Sequence, residues 1–402
     1  MDVLRKKRIV LGVTGSIAAY KAAAFASSLK QHGANVDVIL TKNAERFITP
    51  LTFQTLTGRK AFTDADLWGE FGHEIPIEVG HDADLIIIAP CTSNTIAKLN
   101  HGISDNLLTL VCTTASCPIL IAPAMDIAMY DNKVLQSNLR ELVNRGVKTL
   151  GPLDGQLSYG VSAVGRMMET TEILNFTRYF LSRDKKLKGK KFIVTVGGTK
   201  EYIDPIRFIT NRSTGQQGYE IAQAAMDMGA DVILITTIEA RKVPYGAEVI
   251  HVNTAEEMKQ AVLNRVNEAD VLIMAADVSD FRPKNIHKHK IKKGKDLPNI
   301  ELEFTDDILS AVSELKSKSD YPLVTVGFAA ESRNMLDNAN QKLNSKRLDM
   351  IVANNILTED EAYDPDFNRV TILYAGGEVE PFDLMGKYDI SVVILERIIQ
   401  RL

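Results

Sequence analysis

The sequence predicts an α/β protein with two doubly wound, Rossmann-like domains. Short runs rich in β-branched residues alternate with longer amphipathic stretches along the whole chain. The predicted strands are continuously apolar, as in "DADLIIIAP" at residues 82–90, which is typical of a parallel sheet covered on both faces. The plan occurs twice, since "GANVDVIL" at 33–40 is echoed by "GADVILIT" at 229–236. With 402 residues and 45% hydrophobic side chains, each domain can bury its own core.

The first half contains four predicted strands and an opening helix. "RIVLGVT" at 8–14 is predicted as a buried strand, and residues 16–33 as a helix ended by glycine. Further strands are predicted at 35–40, 82–90 and 117–123. Strand, glycine turn and helix in succession are the opening of a βαβ unit.

The second half repeats this order. Residues 191–199 are predicted as a strand that enters a glycine turn, followed by a helix from about Gln216 and strands at 229–236 and 268–276. Between the halves, "SRDKKLKGKK" at 182–191 is predicted as a solvated linker rather than a nucleic-acid patch. We place the boundary near Gly189, which gives domains at 1–189 and 190–402.

Composition excludes several classes of protein. The net charge of −4 gives no general attraction to nucleic acid. No apolar run approaches the ~20 residues that a bilayer span needs. The three cysteines (Cys91, Cys112 and Cys117) form no CxxC pair and no disulfide framework. These features predict a cytoplasmic enzyme without a nucleic-acid or membrane partner.

Ligands of doubly wound domains bind at the carboxyl ends of the strands. Gly15 and Ser16 open a helix there, where free N–H groups favour a phosphate. The GxGxxG spacing is absent, which disfavours a dinucleotide fingerprint, and the chain has no P-loop. "APCTSNTIAKL" at 89–99 follows another strand, and its four consecutive polar residues exceed the single one that a helix cap needs. These loops therefore indicate a ligand.

Long motifs identify a family resemblance. "GSIAAYK", "APCTSNTIAKL", "SDNLL" and "PAMDIAMY" resemble the flavin-containing cysteine decarboxylases, whose domain is flavodoxin-like. The chain from about Lys190 resembles phosphopantothenate–cysteine ligase. In this order the two halves resemble the bifunctional coenzyme A biosynthesis proteins that combine phosphopantothenoylcysteine decarboxylase with phosphopantothenate–cysteine ligase.

The resemblance implies an FMN site and a decarboxylase in the first half. His73 matches the catalytic histidine, and Asp126 and Met129 match substrate-binding positions. His73, Glu74 and His81 do not form an HExxH motif, and no metal site is predicted. FMN would accept a hydride from the thiol-bearing carbon of the substrate and later return it. The residues implied to hold FMN are Gly15, Ser16, Ile17, Thr41, Thr92, Ser93, Asn94, Thr95 and Ala124.

Two positions depart from the decarboxylase pattern. Asp126 stands where the family has an asparagine that would donate a hydrogen bond toward the substrate carboxylate. An ionised Asp126 would repel that group, so the position could work only with a protonated carboxyl or with a neighbouring cation. Tyr159 stands where many relatives have the cysteine that donates a proton as the hydride returns. Three alternatives follow: Tyr159 donates the proton, another group or water does, or this half-reaction is lost.

"DPIRFITNRSTG" at 204–215 carries the most specific ligase resemblance. Asp204 and Pro205 predict a turn, and Arg207 can engage an anion bidentately. Asn211 matches the residue that turns over the acyl-nucleotide intermediate and would also contact substrate. A polar loop with a helix cap at Ser213 or Thr214 is the plainer interpretation, and it can coexist with this role.

A lysine-rich run follows at 284–293. Such a run is usually a solvated face, but lysines can also neutralise the charge that develops on pyrophosphate. Lys290, Lys292 and Lys293 match the family's KxKK motif, which implies CTP as the nucleotide and Lys290 as a catalytic residue. Asp277 replaces the family's usual alanine.

The resemblance implies a larger nucleotide site in the second half. Lys342 and Lys346 lie four residues apart on one helical face, for which surface solubility is the alternative. Mg²⁺ is expected on the triphosphate, with no dedicated metal cage in the protein. The implied nucleotide-binding residues are Ala275, Ala276, Asp280, Lys290, Asp306, Asp307, Ile308, Leu309, Phe328, Lys342 and Lys346.

The resulting hypothesis is a two-step enzyme of coenzyme A biosynthesis. The ligase would join phosphopantothenate to cysteine through an acyl-cytidylate, and the decarboxylase would convert the product to phosphopantetheine. One alternative is an active ligase whose decarboxylase half is inactive, scaffolding or regulatory because of Asp126 and Tyr159. An NAD(P)-dependent oxidoreductase is disfavoured by the missing GxGxxG. Relatives imply a homo-oligomer, with trimer contacts in the first domain and dimer contacts in the second.

Overall fold

The computed structural model describes residues 3–69, 72–156, 162–183, 185–239, 243–293, 299–319, 321–355 and 366–402. The chain divides into two compact units that separate between Arg178 and Tyr179. The boundary near Gly189 stays a prediction.

The first unit is built on a six-stranded parallel sheet in the order β3-β2-β1-β4-β5-β6. The order in which successive strands are added to the sheet reverses between β1 and β4, and in doubly wound domains ligands bind at the carboxyl edge next to such a reversal. A separate hairpin, β7 with β8, is antiparallel. The strands are β1 (Arg8–Val13), β2 (Asn35–Leu40), β3 (Ala61–Phe62), β4 (Leu85–Cys91), β5 (Ile119–Pro123), β6 (Lys148–Thr149), β7 (Leu153–Gln156) and β8 (Ser162–Arg166).

Helices and two short 3₁₀ turns, Ala44–Arg46 and Asp64–Trp68, complete this part of the chain. The first helix begins at Ala19 rather than at the predicted Ser16, because residues 14–18 form the turn that leaves β1. The helices are α1 (Ala19–Gln31), α2 (Pro50–Thr57), α3 (Ile75–His81), α4 (Ser93–His101), α5 (Leu107–Thr114), α6 (Ile127–Tyr130), α7 (Lys133–Asn144) and α8 (Thr170–Ser182).

The second unit has an eight-stranded sheet in the order β13-β12-β9-β14-β17-β18-β20-β21. It is parallel from β13 to β18, and β20 and β21 add an antiparallel edge. Three small antiparallel pairs (β10 with β11, β15 with β16, β19 with β22) lie outside it. The strands are β9 (Lys191–Val196), β10 (Lys200–Tyr202), β11 (Phe208–Thr210), β12 (Asp231–Thr236), β13 (Glu248–His251), β14 (Val271–Met274), β15 (Phe281–Pro283), β16 (Leu302–Phe304), β17 (Val324–Glu331), β18 (Met350–Asn355), β19 (Phe367–Asn368), β20 (Thr371–Tyr374), β21 (Val379–Pro381) and β22 (Met385–Gly386).

Helices cover both faces of this sheet, so each face has its own buried cluster. One cluster joins Phe192 and Val194 of the central strand to the last helix, and the other joins Ile193 to the helices on the opposite face. Alternate residues of one strand therefore belong to different cores, as period-2 geometry requires. The helices are α9 (Gln216–Asp227), α10 (Ala255–Arg265), α11 (Ile308–Ser319), α12 (Met335–Ser345) and α13 (Lys387–Ile399), with a 3₁₀ turn at Val266–Glu268.

A charged cluster fastens α13 to the edge of the second sheet. Glu380 accepts hydrogen bonds from Arg397 at 2.8 and 2.5 Å and from the Tyr374 hydroxyl at 2.8 Å. The hydrogen bonds from Arg397 lower the pKa of Glu380 from 4.5 to about 2, although burial acts in the opposite direction. The ionised carboxylate therefore stabilises the fold above its ordinary pKa. This stabilisation is lost as the pH falls toward about 2.

Glu380→Gln is expected to lower the thermal midpoint by about 2–4 °C at neutral pH, because a partly exposed pair contributes roughly 1 kcal/mol. The difference from wild type should shrink below about pH 4.5, where Glu380 becomes protonated on unfolding. Thermal unfolding followed by circular dichroism measures both effects. Glu378→Gln, which changes the same charge at an exposed site, is the matched control. An equal midpoint shift in both variants would contradict a specific role for Glu380.

Candidate active sites

The predicted flavin residues converge at the carboxyl edge of the first sheet. They lie in four loops, which follow β1, β2, β4 and β5. These strands are neighbours in the sheet, so the topology alone places their loops side by side. The residues brought together are Gly15, Ser16, Ile17, Thr41, Thr92, Ser93, Asn94, Thr95 and Ala124.

Thr14 ties two of these loops together. Its hydroxyl donates to the Pro90 carbonyl at 2.8 Å and accepts from the Thr92 backbone N–H at 3.0 Å. The side chain is 1% exposed, so both hydrogen bonds form away from water. Sequence reasoning missed Thr14, because its partners are distant in the chain and a threonine at a strand end carries no separate signal.

Gly15 permits a close approach between the loops after β1 and β2. A Cβ atom at this position would lie 2.5 Å from Asn43 Cβ and 3.1 Å from the Asn43 backbone carbon. Such distances require the backbone to shift, so any other residue would open this corner of the site. Ile17, two residues later, is exposed on the same turn.

The hydroxyl-rich loop places its polar groups at the first turn of α4. Thr92 occupies the cap position without a side-chain capping bond to the helix. Its hydroxyl lies 3.4 Å from that of Thr95, which is buried, whereas Asn94 is exposed. Unlike a simple cap, this loop keeps hydroxyl and amide groups at a helix N-terminus, where anions bind favourably.

The base of the β7–β8 hairpin rests on the loop after β5. The Met125 N–H donates to the Gly165 carbonyl at 3.1 Å, and a Cβ atom on Gly165 would lie 2.3 Å from the Met125 carbonyl oxygen. Asp126 caps α6, its carboxylate accepting from the Ala128 N–H at 2.8 Å. Aspartate can therefore fill the capping role here. Met129 is exposed on α6.

Lys21 and Glu169 connect α1 to the segment after the hairpin. Lys21 is 9% exposed, and its ammonium lies 3.0 Å from the Glu169 carboxylate. Arg166 contacts the same carboxylate at 2.6 Å. Sequence reasoning did not single out Lys21 or Glu169, because nothing local pairs residues that are so far apart in the chain.

Of the two predicted catalytic residues of this half, the structure describes only His73. His73 precedes α3, its side chain is 78% exposed, and Nε2 lies 3.7 Å from Glu74 Oε1. Its imidazole is thus open to a ligand or to another subunit. Tyr159 lies outside the described residues, so its role stays a prediction.

The three cysteines are poorly placed to replace the missing flap cysteine. Cys91 is 0% exposed, and burial raises the pKa of its thiol. Burial likewise raises the pKa of Cys112, in α5, to about 12. Cys117 precedes β5 at the amino edge of the sheet, and burial followed by the charge of Asp84 raises its pKa. Proton donation by these thiols is therefore disfavoured.

In the second unit, Asn211 sits beside the glycine turn that follows β9. A Cβ atom on Gly198 would lie 2.8 Å from the Asn211 carbonyl oxygen, so glycine is needed for this approach. The Asn211 amide nitrogen donates to the Val278 carbonyl at 3.4 Å. The loops after β9, β11 and β14 therefore meet around Asn211. The predicted helix cap at Ser213 or Thr214 is wrong: Gly215 is the cap residue of α9, with a φ of 66°.

Arg207 is engaged within the protein. Its guanidinium pairs with Asp204 at 2.6 Å and donates to the Ile291 carbonyl at 2.5 Å. Burial alone would raise the pKa of Asp204, but hydrogen bonds from Ile206, Arg207 and Ile291 hold it well below its usual range. The predicted turn at Asp204–Pro205 is confirmed, and it reaches the lysine-rich run. Lys290 itself is exposed.

Lys342 and Lys346 point toward other predicted nucleotide residues. Lys342 donates to the Phe328 carbonyl at 2.8 Å, and Lys346 forms an ion pair with Asp307. Burial lowers the pKa of Lys342, while the charges of Asp307, Asp280, Glu331 and Asp277 act to raise it. A half-buried ammonium near several carboxylates is typical of a functional site rather than a solubility pair. The Asp277 replacement adds one of these charges.

The four residues 306–309 divide into two kinds. Burial would raise the pKa of Asp307, but hydrogen bonds from Lys346 and from the Ser310 N–H lower it. Asp306 instead pairs with Lys259, and the hydrogen bond between them lowers the pKa of Asp306. Ile308 and Leu309 are buried in the core at the start of α11. Ala275 and Ala276 are half-buried after β14, and the Ala276 N–H donates to the Thr195 hydroxyl at 3.2 Å.

The described residues contain neither a metal-binding cluster nor a membrane span. In that part of the chain, no group of three or more His, Cys, Asp or Glu side chains is arranged to hold a metal ion. Among the described helices, none combines the length and apolar character of a membrane span.

Comparison with known families places each half of the chain. The family described as Flavoprotein matches residues 2–182, and the family described as DNA/pantothenate metabolism flavoprotein C-terminal domain matches residues 187–402. The second match alone covers more than half of the chain. The class is therefore a flavoprotein domain followed by a pantothenate-metabolism domain.

Relatives match over nearly the full length. The coenzyme A biosynthesis bifunctional protein CoaBC of Bacillus subtilis (strain 168) is 40% identical over 404 residues, covering 98% of this chain and 97% of that protein. Its namesake in Mycobacterium tuberculosis (strain H37Rv) is 39% identical over 383 residues, covering 92% and 91%. A solved C-terminal domain of CoaBC is 37% identical, with a TM-score of 0.46, and covers 54% of this chain and 97% of that one.

The chain belongs to the family of bifunctional coenzyme A biosynthesis proteins. It is an enzyme with a flavoprotein decarboxylase half and a ligase half, and the predicted family and fold class are confirmed.

Proposed function

We propose that the chain joins phosphopantothenate to cysteine with CTP and then decarboxylates the product to phosphopantetheine with FMN. The substrate carboxylate attacks the α-phosphate of CTP, releasing pyrophosphate, and the cysteine amine then displaces CMP from the acyl-cytidylate. The amide formed is the substrate of the first domain, which releases its carboxylate as CO₂. The observation that carries the proposal is the full-length match to bifunctional relatives.

The residues at the carboxyl edge of the first sheet fit FMN. Gly15 lets the loops after β1 and β2 approach closely, and α4 begins with hydroxyl and amide groups suited to a phosphate. When bound, FMN supplies reversible hydride transfer. In this proposal the chain's own residues position the substrate: Met129 and Asp126 face it from α6, and His73 moves a proton at the substrate thiol.

The second domain supplies cations and dipoles for the triphosphate. Lys342 and Lys346 approach Phe328, Asp307 and Asp280, all implied nucleotide residues. In this proposal Lys290 neutralises pyrophosphate as the bond to the α-phosphate breaks. Mg²⁺ would accompany CTP. Asn211, held beside the glycine turn, would contact the acyl intermediate.

Exposed apolar side chains support a homo-oligomer. Ile17, Tyr20 and Met129 are exposed near the flavin loops, which fits a trimer whose subunit interfaces include the FMN site. In the second domain, the exposed rings of Phe281 and Phe304, on the antiparallel pair of β15 and β16, lie 5.4 Å apart in a tilted arrangement, which fits a dimer contact. Large exposed apolar patches commonly mark interfaces. Cytoplasmic location stays a prediction of the sequence.

The test is to incubate purified protein with phosphopantothenate, cysteine, Mg²⁺ and CTP, and to identify products by mass. Phosphopantetheine is the expected product. Accumulation of phosphopantothenoylcysteine alone would contradict the decarboxylase half, and a reaction only with ATP would contradict the proposed nucleotide. If no product forms with CTP or with ATP, the whole proposal is overturned.

His73→Asn is expected to lower the decarboxylation rate at least about 100-fold, the usual effect of losing a proton-transfer group. Ligation should continue at the wild-type rate, because His73 lies in the other unit. The readout is phosphopantothenoylcysteine accumulating in the coupled reaction. His81→Asn, an exposed histidine at the end of α3, is the control and should leave both rates unchanged. Full decarboxylation by His73→Asn would remove His73 from the mechanism.

A further inference from the structure

We propose that Asp204 is a positioning residue of the ligase. With Arg207, it docks the backbone of Ile291, so that Lys290 and Lys292 on either side of it are held ready for the triphosphate. This inference rests on the proposed nucleotide-dependent ligase.

The Asp204 carboxylate is fully buried and fully engaged. Its side chain is 0% exposed. One oxygen, Oδ1, accepts from the backbone N–H groups of Ile206 and Arg207, each at 2.9 Å. The other, Oδ2, accepts from Arg207 Nε at 2.9 Å and from the Ile291 N–H at 3.1 Å. A buried charge is retained only when it is paired and hydrogen-bonded, and here both conditions are met.

Ile291 is held through both of its backbone groups. Its N–H donates to Asp204, and its carbonyl accepts from Arg207 Nη2 at 2.5 Å. A second attachment lies four residues earlier, where the His287 N–H donates to the Ile203 carbonyl at 3.0 Å. The segment is thus docked along residues 287–291, although the side chains of residues 284–290 are exposed.

Docking matters because the segment carries like charges. Lysines close together repel one another, and a free segment would spread them and lose conformational entropy on meeting the nucleotide. Fixing the backbone beforehand removes part of that cost, so binding and reaction both benefit. Asp204 achieves this from a buried site, without presenting its own carboxylate to the triphosphate.

Removal of the Asp204 carboxylate is expected to weaken the binding of CTP, whereas the loss of its negative charge alone would strengthen it. Removing a carboxylate near an anion site should, by charge alone, tighten the binding of CTP. If Asp204 acts by docking, Asp204→Asn should instead raise KM for CTP by about tenfold or more, since hydrogen bonds to a charged group are lost. The same variant should speed trypsin cleavage after Lys290 and Lys292, because an undocked segment is a better protease substrate.

The experiment uses the full chain with phosphopantothenate and cysteine at saturation. Steady-state KM for CTP and the trypsin cleavage sites, read by mass spectrometry, are compared between wild type and Asp204→Asn. Glu301→Gln is the matched control: Glu301 lies 3.8 Å from Lys284 at the far end of the same run, so it removes one carboxylate without touching Ile291. It should leave cleavage after Lys290 and Lys292 unchanged and should not raise KM.

Several outcomes would overturn the inference: an unchanged or lowered KM in Asp204→Asn, unchanged cleavage, or the same rise in Glu301→Gln. If Asp204→Asn does not fold, Ile291→Pro replaces it, because proline removes the backbone N–H of the half-buried residue 291 that donates to Asp204. That variant should raise KM for CTP and speed cleavage after Lys292; cleavage after Lys290 is not compared, because trypsin does not cut a Lys–Pro bond. If the wild-type protein is inactive with CTP, the proposed nucleotide is overturned. The trypsin comparison would still decide whether Asp204 docks the segment.

Discussion

Lys342→Gln is expected to slow ligation by about 10²- to 10³-fold, the usual effect of removing one donor that stabilises transition-state charge. Burial lowers the pKa of Lys342, and the carboxylates around it, Asp307 first among them, act in the opposite direction. Glutamine retains a donor to the Phe328 carbonyl but loses the charge. The loss should therefore appear in the rate of pyrophosphate release rather than in the stability of the fold.

The pH dependence of ligation gives an independent reading of Lys342. Because its pKa is lowered, the Lys342 ammonium loses its proton at a lower pH than an ordinary lysine does. The ligation rate should therefore fall as the pH rises on the alkaline limb of the pH profile. Asp277→Ala removes one of the carboxylates that raise this pKa, and it should move the alkaline limb to still lower pH. Lys318→Gln, at an exposed position of α11, is the control. Unchanged ligation in Lys342→Gln would place the triphosphate elsewhere.

Tyr159→Phe is expected to stop the first domain after loss of CO₂, so that dehydrogenated product forms at no more than about one equivalent per flavin and phosphopantetheine falls by about 10²-fold or more. The reason is that the Tyr159 hydroxyl is the first of the alternatives given above for the proton donor, and the three thiols of the chain are buried or at the opposite edge of the sheet. Tyr159→Cys should restore phosphopantetheine, since a thiol of pKa near ~8.5 is a stronger acid than a phenol near ~10. Product masses from purified phosphopantothenoylcysteine measure the effect.

The control for this experiment is Cys117→Ser, which removes the most exposed thiol and should leave decarboxylation unchanged. Normal phosphopantetheine formation by Tyr159→Phe would assign the proton to water or to another group. Decarboxylation that depends on Cys117 would show that a thiol from elsewhere in the chain takes part.

Local sequence was sufficient for most of the fold. The strand at Asn35–Leu40 and the start of α9 at Gln216 agree with prediction, because apolar periodicity and a glycine turn are encoded within a few residues. The predicted ends of helices and strands were less accurate. The strand predicted from residue 82 begins at Leu85, since Asp82 and Asp84 pair with basic residues before the sheet begins.

Long-range pairings in the site could not be predicted from the sequence. Arg207 was expected to face an anion, yet it holds Asp204 and the Ile291 carbonyl, a partner 84 positions away. Thr14 and Pro90, 76 positions apart, meet only because β1 and β4 are neighbours. The spacing of residues along the chain predicts helical faces and turns. The contacts of Arg207 and Thr14 depend instead on the order of the strands in the folded sheet.

The burial of Ile308 and Leu309 limits how the choice of nucleotide could be altered by design. Their side chains fill the core, so any contact they make with a base must use backbone groups, which every amino acid presents alike. Point substitutions there would alter stability before they altered the base that is accepted. Engineering a ligase of this kind toward another nucleotide would instead require a change in the length of the turn before α11, which moves those backbone groups.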